Sequence, residues 1–365
     1  MTLLLKGSGY QISVVTPKIY KKSYYVEEQE GIRVYRFPFF SGNRPLIEYG
    51  RIPYLRMVFY YMTGFFLTIY VVFKHKCHLI HAHWAIPTGL IGVLVGSILK
   101  TPLIVTIHGS DFRIGTTKTF ILKKVFLYVC KKAKHIICVS QLLKREIQKL
   151  GIRREKISVF PMGVDEPFLK PLINREVNGI GQWVTILSNR QLQPIYNISL
   201  LIRAIPIILK VEPNTKFVIA GTGSERENLE KQVNDLNISS SVQFLGWVKH
   251  EEMPKLLSQA NIYISTSLDD GTSVSLLEAM ASGAFPVVTD IPSNREWISD
   301  GENGFLVPID EERFLAEKIL EAIRNHDLRE GSRDKNFSLI KEKALWPVTI
   351  AKTKEIYEMV LDSKS

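Results

Sequence analysis

Residues Ser265–Asp290, STSLDDGTSVSLLEAMASGAFPVVTD, constrain the fold more than any other stretch. Asn261–Ser265 is a short β-branched run, and Asp269–Ser275 is a loop of small residues around Gly271. Leu276–Ser282 is a run of good helix formers that Gly283 is placed to end. Phe285–Thr289 then reads as a second buried strand, so the segment is a strand–helix–strand unit. Two carboxylates, Asp270 and Glu278, bracket the loop and the helix start. The first amides of a helix lack intrahelical partners, and its dipole adds positive potential, so this point attracts phosphate. Glu278, a little further into the helix, can accept hydrogen bonds from a sugar diol such as that of ribose. The spacing also fits a plain βαβ unit in which Asp269 and Asp270 are solvated and Glu278 caps or pairs locally.

A chain of 365 residues suggests two domains of ordinary size. Charge divides between them. Residues 1–170 carry 26 Lys and Arg against 9 Asp and Glu, whereas residues 171–365 carry 21 against 27. A basic half faces nucleic acid, an anionic membrane or an acidic substrate. No DNA- or RNA-binding signature accompanies the lysines, which excludes nucleic acid as the expected partner. Cys77, Cys130 and Cys138 lack metal-type spacing and fit reduced thiols of a cytoplasmic protein. No secretory signal is visible.

Leu3–Lys6 reads as a helix end, Tyr10–Thr16 as a strand and Gly31–Phe39 as another. Met57–Phe73 is the most apolar stretch; as a helix it would span about 25 Å, marginal for a bilayer. Its Gly64 and tyrosines favour a helix buried beside the sheet, with an interfacial helix as the alternative. Two strand-like runs end in His81-Ala82-His83-Trp84 and in His108-Gly109-Ser110-Asp111. Just past the carboxyl end of a parallel strand is where ligands bind in open α/β sheets. His83 and His108 are therefore candidates, Asp111 either positions a ligand or supports the His108 loop, and His81 is structural. Lysine-rich helices are expected over Thr119–His135 and Gln141–Leu150, and Lys170–Gly181 reads as a linker. Val184–Leu187 opens a second strand–helix series, with Arg190 just after its first strand. Gly221-Thr222-Gly223 is weak evidence for phosphate and is equally a tight turn.

With Glu278-Ala279-Met280-Ala281, Gly283 and Pro286-Val287-Val288 in register, the central segment resembles the nucleotide-sugar signature of the family 4 retaining glycosyltransferases. The resemblance covers nearly the whole chain. It departs at Asp270, where the family usually has glutamate, and at Asn189 and Tyr196-Asn197, which stand in place of the usual glycine and Lys-Gly. The family's first strand and glycine-rich loop are lacking ahead of Tyr10–Thr16. The resemblance implies a GT-B fold of two doubly wound Rossmann-like domains facing across a cleft. An acceptor-side domain over residues 1–170 and a donor-binding domain over 171–345 are expected, with a last helix, 346–365, crossing back to the first.

The same resemblance implies a hexosyltransferase that uses a UDP- or GDP-sugar as donor substrate, with no metal and no other cofactor. Arg190 and the amides near Ser273 and Val274 would stabilise the departing diphosphate. Tyr196 would donate a hydrogen bond in place of the lysine, and Gly271 and Thr272 would line the loop. Gly246-Trp247-Val248 would flank the base, Glu278 would hold the ribose, and Asp270 would touch the sugar hydroxyls. On the acceptor side stand His83, His108 and Asp111, with His108 orienting the transferred sugar. The implied acceptor is a lipid-linked saccharide or a polysaccharide precursor, reached by a cytoplasmic protein docked on the inner face of the membrane. A non-catalytic subunit and a purely membrane-binding protein are the alternatives.

Overall fold

The computed structural model describes residues 1–42, 53–169 and 183–362; the linker expected at 170–181 lies outside the described residues. The chain divides into two units, Met1–Phe160 with Thr349–Ser365, and Pro161–Val348.

The first unit runs α1 (Thr2–Gly7), β1 (Ser13–Lys18), β2 (Val26–Gln29), β3 (Ile32–Pro38), α2 (Tyr54–Lys74), β4 (Ile80–His83), α3 (Leu90–Leu99) and β5 (Leu103–Ile107). It continues with α4 (Ser110–Thr117), α5 (Phe120–Lys132), β6 (His135–Cys138), α6 (Gln141–Lys149) and β7 (Ile157–Val159). One sheet has the order β1-β3-β2, with β1 parallel and β2 antiparallel to β3. The other has the order β4-β5-β6-β7 and is parallel throughout. Every residue of β5 and β6 is buried, as expected for parallel strands covered on both faces. His135, expected at a helix end, belongs to β6. Thr119 and Ser140 cap α5 and α6 by accepting from the amides of Leu122 and Leu143.

The apolar helix differs from its expected burial. One side of α2 packs on β1, β3 and α3. Gly64 makes the approach possible, because a Cβ there would lie 2.7 Å from the Ile91 side chain and 3.2 Å from Phe37. Tyr60, Val71 and Val72 are buried with it. The opposite side is open: Leu55, Val58, Phe59, Met62, Phe66, Tyr70 and Phe73 are all exposed. Leu55–Lys74 is long and apolar enough to cross a bilayer by length and composition, with a mean hydropathy of 1.5. Its apolar residues run around the whole helix, and the sheet covers only one side.

The second unit runs β8 (Val184–Ser188), α7 (Ile198–Val211), β9 (Thr215–Ala220), α8 (Arg226–Asp235), β10 (Val242–Gly246), α9 (Met253–Gln259), β11 (Ile262–Ser265) and α10 (Val274–Ala281). β12 (Phe285–Thr289), β13 (Phe305–Val307), α11 (Glu312–Arg324) and α12 (His326–Lys343) follow. α13 (Trp346–Asp362) is the last helix, and from Thr349 onward it belongs to the first unit. The six strands form a parallel sheet, β10-β9-β8-β11-β12-β13.

Side chains alternate between its faces. Ile186, Ile262, Ile264 and Val287 join one core with α7, α8 and α11, whereas Leu187, Tyr263 and Val288 join a second core with α9, α10 and α12. The sheet is thus wound on both faces. Gly283 ends α10 at φ +75°, where its N–H donates to Met280 and the next amide to Ala279. Gly283→Ala forces a side chain into the left-handed region. It should cost about 1–2 kcal/mol, read as a lower urea midpoint at unchanged slope.

Candidate active site

Chain order reverses between β8 and β11: strands 9 and 10 lie on one side, 12 and 13 on the other. The loops leaving β8 and β11 therefore diverge over opposite faces and open a crevice at the carboxyl ends of the strands. Arg190 follows β8, and Asp270 to Glu278 follow β11, so the sequence-predicted donor residues meet at that switch point. Main-chain and side-chain bonds stitch the two loops together. Leu268 N donates to Ile195 O at 2.9 Å, and the Thr266 hydroxyl reaches the carbonyls of Tyr196 and Asn197.

Arg190 is buried. Its Nη1 donates to Ser273 Oγ at 2.6 Å, and its Nη2 to Asp270 Oδ2 at 2.5 Å. Ser273 is also the N-cap of α10, accepting from Leu276 N at 3.2 Å. One hydroxyl thus ties the guanidinium to the positive end of the helix. Tyr196 meets Arg190 with its ring face, centroid 4.3 Å from the guanidinium carbon. Ser188 Oγ, Asn189 Oδ1 and Arg190 Nε are buried without a hydrogen-bond partner. Three consecutive residues at the switch point thus each leave a polar atom unsatisfied, which is uncommon for buried groups.

The glycines of Gly221-Thr222-Gly223 set this loop. A Cβ on Gly221 would lie 2.3 Å from the Arg190 carbonyl oxygen, and one on Gly223 would lie 2.1 Å from that of Leu192. The motif is a close backbone approach that fixes the height of Arg190. Gly246-Trp247-Val248 connects to it through Gly221 N, which donates to Gly246 O at 2.7 Å; Trp247 is exposed. Gly271 and Thr272 lie in the loop between β11 and α10, and Val274 opens the helix.

Glu278 is nearly buried on α10. Burial pushes its carboxyl up to about 7, while His250 and Arg190 pull it down and Asp165 pushes it up. His250 and Asp165 escaped the sequence reading. The His250 ring bonds Asp165 Oδ2 through Nε2 at 2.8 Å and brings Nδ1 within 4.0 Å of Glu278 Oε1. These positions are far apart in sequence and belong to no shared motif.

In the first unit, His83 at the end of β4 and His108 after β5 share a hydrogen bond, Nδ1 to Nε2, of 3.0 Å. His81 stacks on His83 and is held by Tyr357 and Thr106, which is the structural role expected for it. Burial pushes His83 down to about 4 and His108 to about 3, so both are neutral at pH 7. They can orient a hydroxyl by accepting or donating one hydrogen bond. The buried Asp111 carboxylate accepts from the amides of Ala85, His108 and Gly109. It supports the His108 loop, and these bonds occupy it where a ligand contact was one of the two roles expected. Exposed Trp84, at φ +70°, lies against His108 at 5.0 Å and was also missed.

Comparison with known proteins assigns the class. A solved sucrose-phosphate synthase from Thermosynechococcus elongatus has the same fold over 98% of this chain and 91% of its own, at a TM-score of 0.80 and 18% identity. Anabaena HepE, solved with UDP, matches over 96% of this chain and 99% of its own, at 0.74 and 18%. Both units are α/β with mainly parallel strands, and the architecture is the GT-B glycosyltransferase fold. The model of "Glycosyltransferase Family 4" matches residues 2–167 and that of "Glycosyl transferases group 1" matches residues 173–336. The chain belongs to this glycosyltransferase family and is a transferase. The alpha-monoglucosyldiacylglycerol synthase of Streptococcus pneumoniae is 26% identical over 98% of this chain and 80% of its own. The phosphatidyl-myo-inositol mannosyltransferase of Mycolicibacterium smegmatis is 25% identical over 98% and 87%.

Glu278 carries a testable electrostatic signature. Its folded value lies above the ordinary 4.5, so its contribution to stability is full below about 4.5 and is lost as pH rises through about 7. Glu278→Gln should therefore stabilise the chain at pH 8 by on the order of 1–3 kcal/mol. The gain should shrink toward pH 4.5 in urea titrations.

Proposed function

We propose that the protein moves a sugar, with retention of configuration, from a UDP- or GDP-sugar to a hydroxyl of a lipid-linked or polysaccharide-precursor acceptor. The observation that carries this is the buried Arg190 at the switch point. It is tied to the α10 N-terminus through Ser273, beside three unspent polar atoms. A diphosphate has the charge and the acceptor oxygens that two of these atoms, the donors Arg190 Nε and Ser188 Oγ, lack. In the transfer, the bond from the anomeric carbon to the diphosphate oxygen breaks. The acceptor oxygen forms its bond on the same face, and the departing phosphate takes the acceptor proton. Arg190 and the first amides of α10 stabilise the developing charge, Glu278 holds the ribose, and Asp270 meets the sugar hydroxyls. Neutral His108, paired with His83, orients the transferred sugar. This scheme uses no metal or other cofactor.

The lipid side of the reading is supported by relatives named for a monoglucosyldiacylglycerol and for phosphatidyl-myo-inositol. The exposed face of α2 supports it as well. Neighbouring α3 and α5 expose Leu94, Ile98, Phe120, Ile121 and Tyr128, and α2, α3 and α5 pack in series. Lysines sit over three exposed rings: Lys74 over Tyr70, Lys124 over Phe120, and Lys132 over Tyr128. Apolar side chains interleaved with cations suit the headgroup region of an anionic bilayer. The protein accordingly works in the cytoplasm, docked on the membrane's inner face.

Thermal-shift titration with UDP, GDP and ADP, with and without added metal, tests the donor. One nucleotide should raise the midpoint, equivalent to about 2.7 kcal/mol at a hundredfold excess over its dissociation constant. No shift with any of them would remove the donor site from this chain. Arg190→Ala should lower kcat/KM by about 100- to 1,000-fold at a folded-state melting point close to the natural one; unchanged turnover would exclude it from the site. Co-flotation with phosphatidylglycerol vesicles tests docking. Replacing Met62 and Phe66 together by serine should weaken binding by about tenfold, and 0.5 M salt should weaken it further. Equal flotation by both chains would rule out α2 as the docking element.

A further inference from the structure

Trp84 is a residue that the packing of the first unit does not explain. It follows β4 and leads into the segment Ala85–Gly89 with φ +70° and ψ 125°. A bulky side chain is disfavoured there, and glycine is the residue that takes such a backbone freely. The surroundings impose the conformation. Trp84 N donates to Thr106 O at 2.8 Å, Gly89 N donates to Trp84 O at 2.9 Å, and the next amide, Ala85 N, donates to Asp111 Oδ2 at 2.7 Å. The other oxygen of Asp111 accepts from the amides of His108 and Gly109. One buried aspartate therefore holds together the two strand ends that carry Trp84 and His108. Burial does not offset the strain, because the indole is 44% exposed, lying against the His108 ring at 5.0 Å. A single exposed apolar residue is ordinary. One held at a costly backbone angle beside candidate site residues is an outlier that points to a ligand contact.

The neighbouring histidines indicate which ligand suits it. In the hydrogen bond between His83 Nδ1 and His108 Nε2, one ring donates and the other accepts. Both rings are neutral at pH 7. Whichever tautomers they take, the pair keeps one N–H and one lone pair, at His83 Nε2 and His108 Nδ1. Among the described residues neither of these nitrogens has a hydrogen-bond partner. An exposed aromatic plate beside one donor and one acceptor matches a pyranose. The C–H face of such a ring is apolar and stacks on an indole, and its hydroxyls both give and take hydrogen bonds. A glycerol headgroup has hydroxyls but no ring face. With His108 given to the transferred sugar, His83 and Trp84 are left for the group that receives it.

We propose that Trp84 is the platform on which a sugar ring of the acceptor stacks, so that the accepting hydroxyl belongs to a saccharide and not to a glycerol headgroup. This rests on the transfer reaction given above. Trp84 takes no part in bond making; it sets acceptor affinity and the choice between acceptor classes.

The experiment offers the full chain UDP-glucose, UDP-galactose, UDP-N-acetylglucosamine and GDP-mannose as donors. The acceptors are the octyl pyranosides of glucose, galactose, mannose and N-acetylglucosamine, and octylglycerol. At least one octyl glycoside should receive labelled sugar with a kcat/KM about tenfold or more above that of octylglycerol. Trp84→Gly should raise the KM for that glycoside about tenfold, and Trp84→Phe, which keeps a ring face, about threefold or less. The KM for the donor should change by less than about twofold in both, since the acceptor contact alone is altered. Trp84→Gly should melt close to the natural midpoint, because relief of the positive φ offsets the added freedom of the unfolded chain. Its flotation with phosphatidylglycerol vesicles should match that of the natural chain. If neither UDP nor GDP binds the chain, the transfer reading fails and this inference with it. If a nucleotide binds but no glycoside accepts, or octylglycerol accepts as well as the best glycoside, the inference alone is overturned. It is also overturned if Trp84→Gly keeps the glycoside KM, or if its lost transfer is matched by lost flotation, which would make Trp84 a membrane contact.

Discussion

The structure of the second unit depends on one constraint, the position of β8 as the strand from which the parallel sheet grows both ways. A parallel strand can be joined to its neighbour only by a crossover, and successive crossovers on one side of a sheet share a face. Because the chain adds β9 and β10 beyond one edge of β8 and then returns to add β11, β12 and β13 beyond the other, the connecting helices cover opposite faces. The loops above β8 and β11 are the only neighbouring pair in this sheet that must part. Arg190, Asp270, Ser273 and Glu278 are in one place because of that reversal, although they come from strands distant in sequence.

The electrostatics of the two units differ in kind. In the second, a buried arginine is paired with Asp270, and a nearly buried glutamate has a carboxyl raised to about 7. Such groups oppose folding unless a ligand or a neighbour compensates, which is common where binding has shaped a site. In the first unit the His83–His108 pair is neutral, and Asp111 spends its carboxylate on main-chain amides. That arrangement suits hydrogen bonding to uncharged hydroxyls. The ionised groups are thus concentrated in the second unit, and the neutral hydrogen-bonding pair lies in the first.

Much of this organisation was legible in the sequence. The βαβ pattern of residues 261–289 and the strand ends at His83, His108 and Arg190 report local periodicity, and the structure follows them to within a few residues. Partners set by tertiary packing were not legible. The contact of the Tyr196 ring with Arg190 is one of them. Nothing in the sequence joins His250 to Asp165, since only folding makes them neighbours. The burial of α2 was misjudged because apolar content alone cannot separate a helix covered on all sides from one covered on one side. Strand β2 is polar and short, so it left no apolar alternation to find.

The glycines at 221 and 223 have a consequence for how this protein can change. Most neighbouring segments meet through side chains, which absorb a substitution by turning to another rotamer. Here main chain rests directly on main chain, with no such buffer between the β9 loop and the carbonyls of Arg190 and Leu192. A substitution at either glycine would not be diluted in the surrounding core. It would be transmitted as a rigid displacement of the guanidinium, leaving the rest of the sheet in place. This contact is therefore a point of low mutational tolerance whose failures are lost activity in a folded chain.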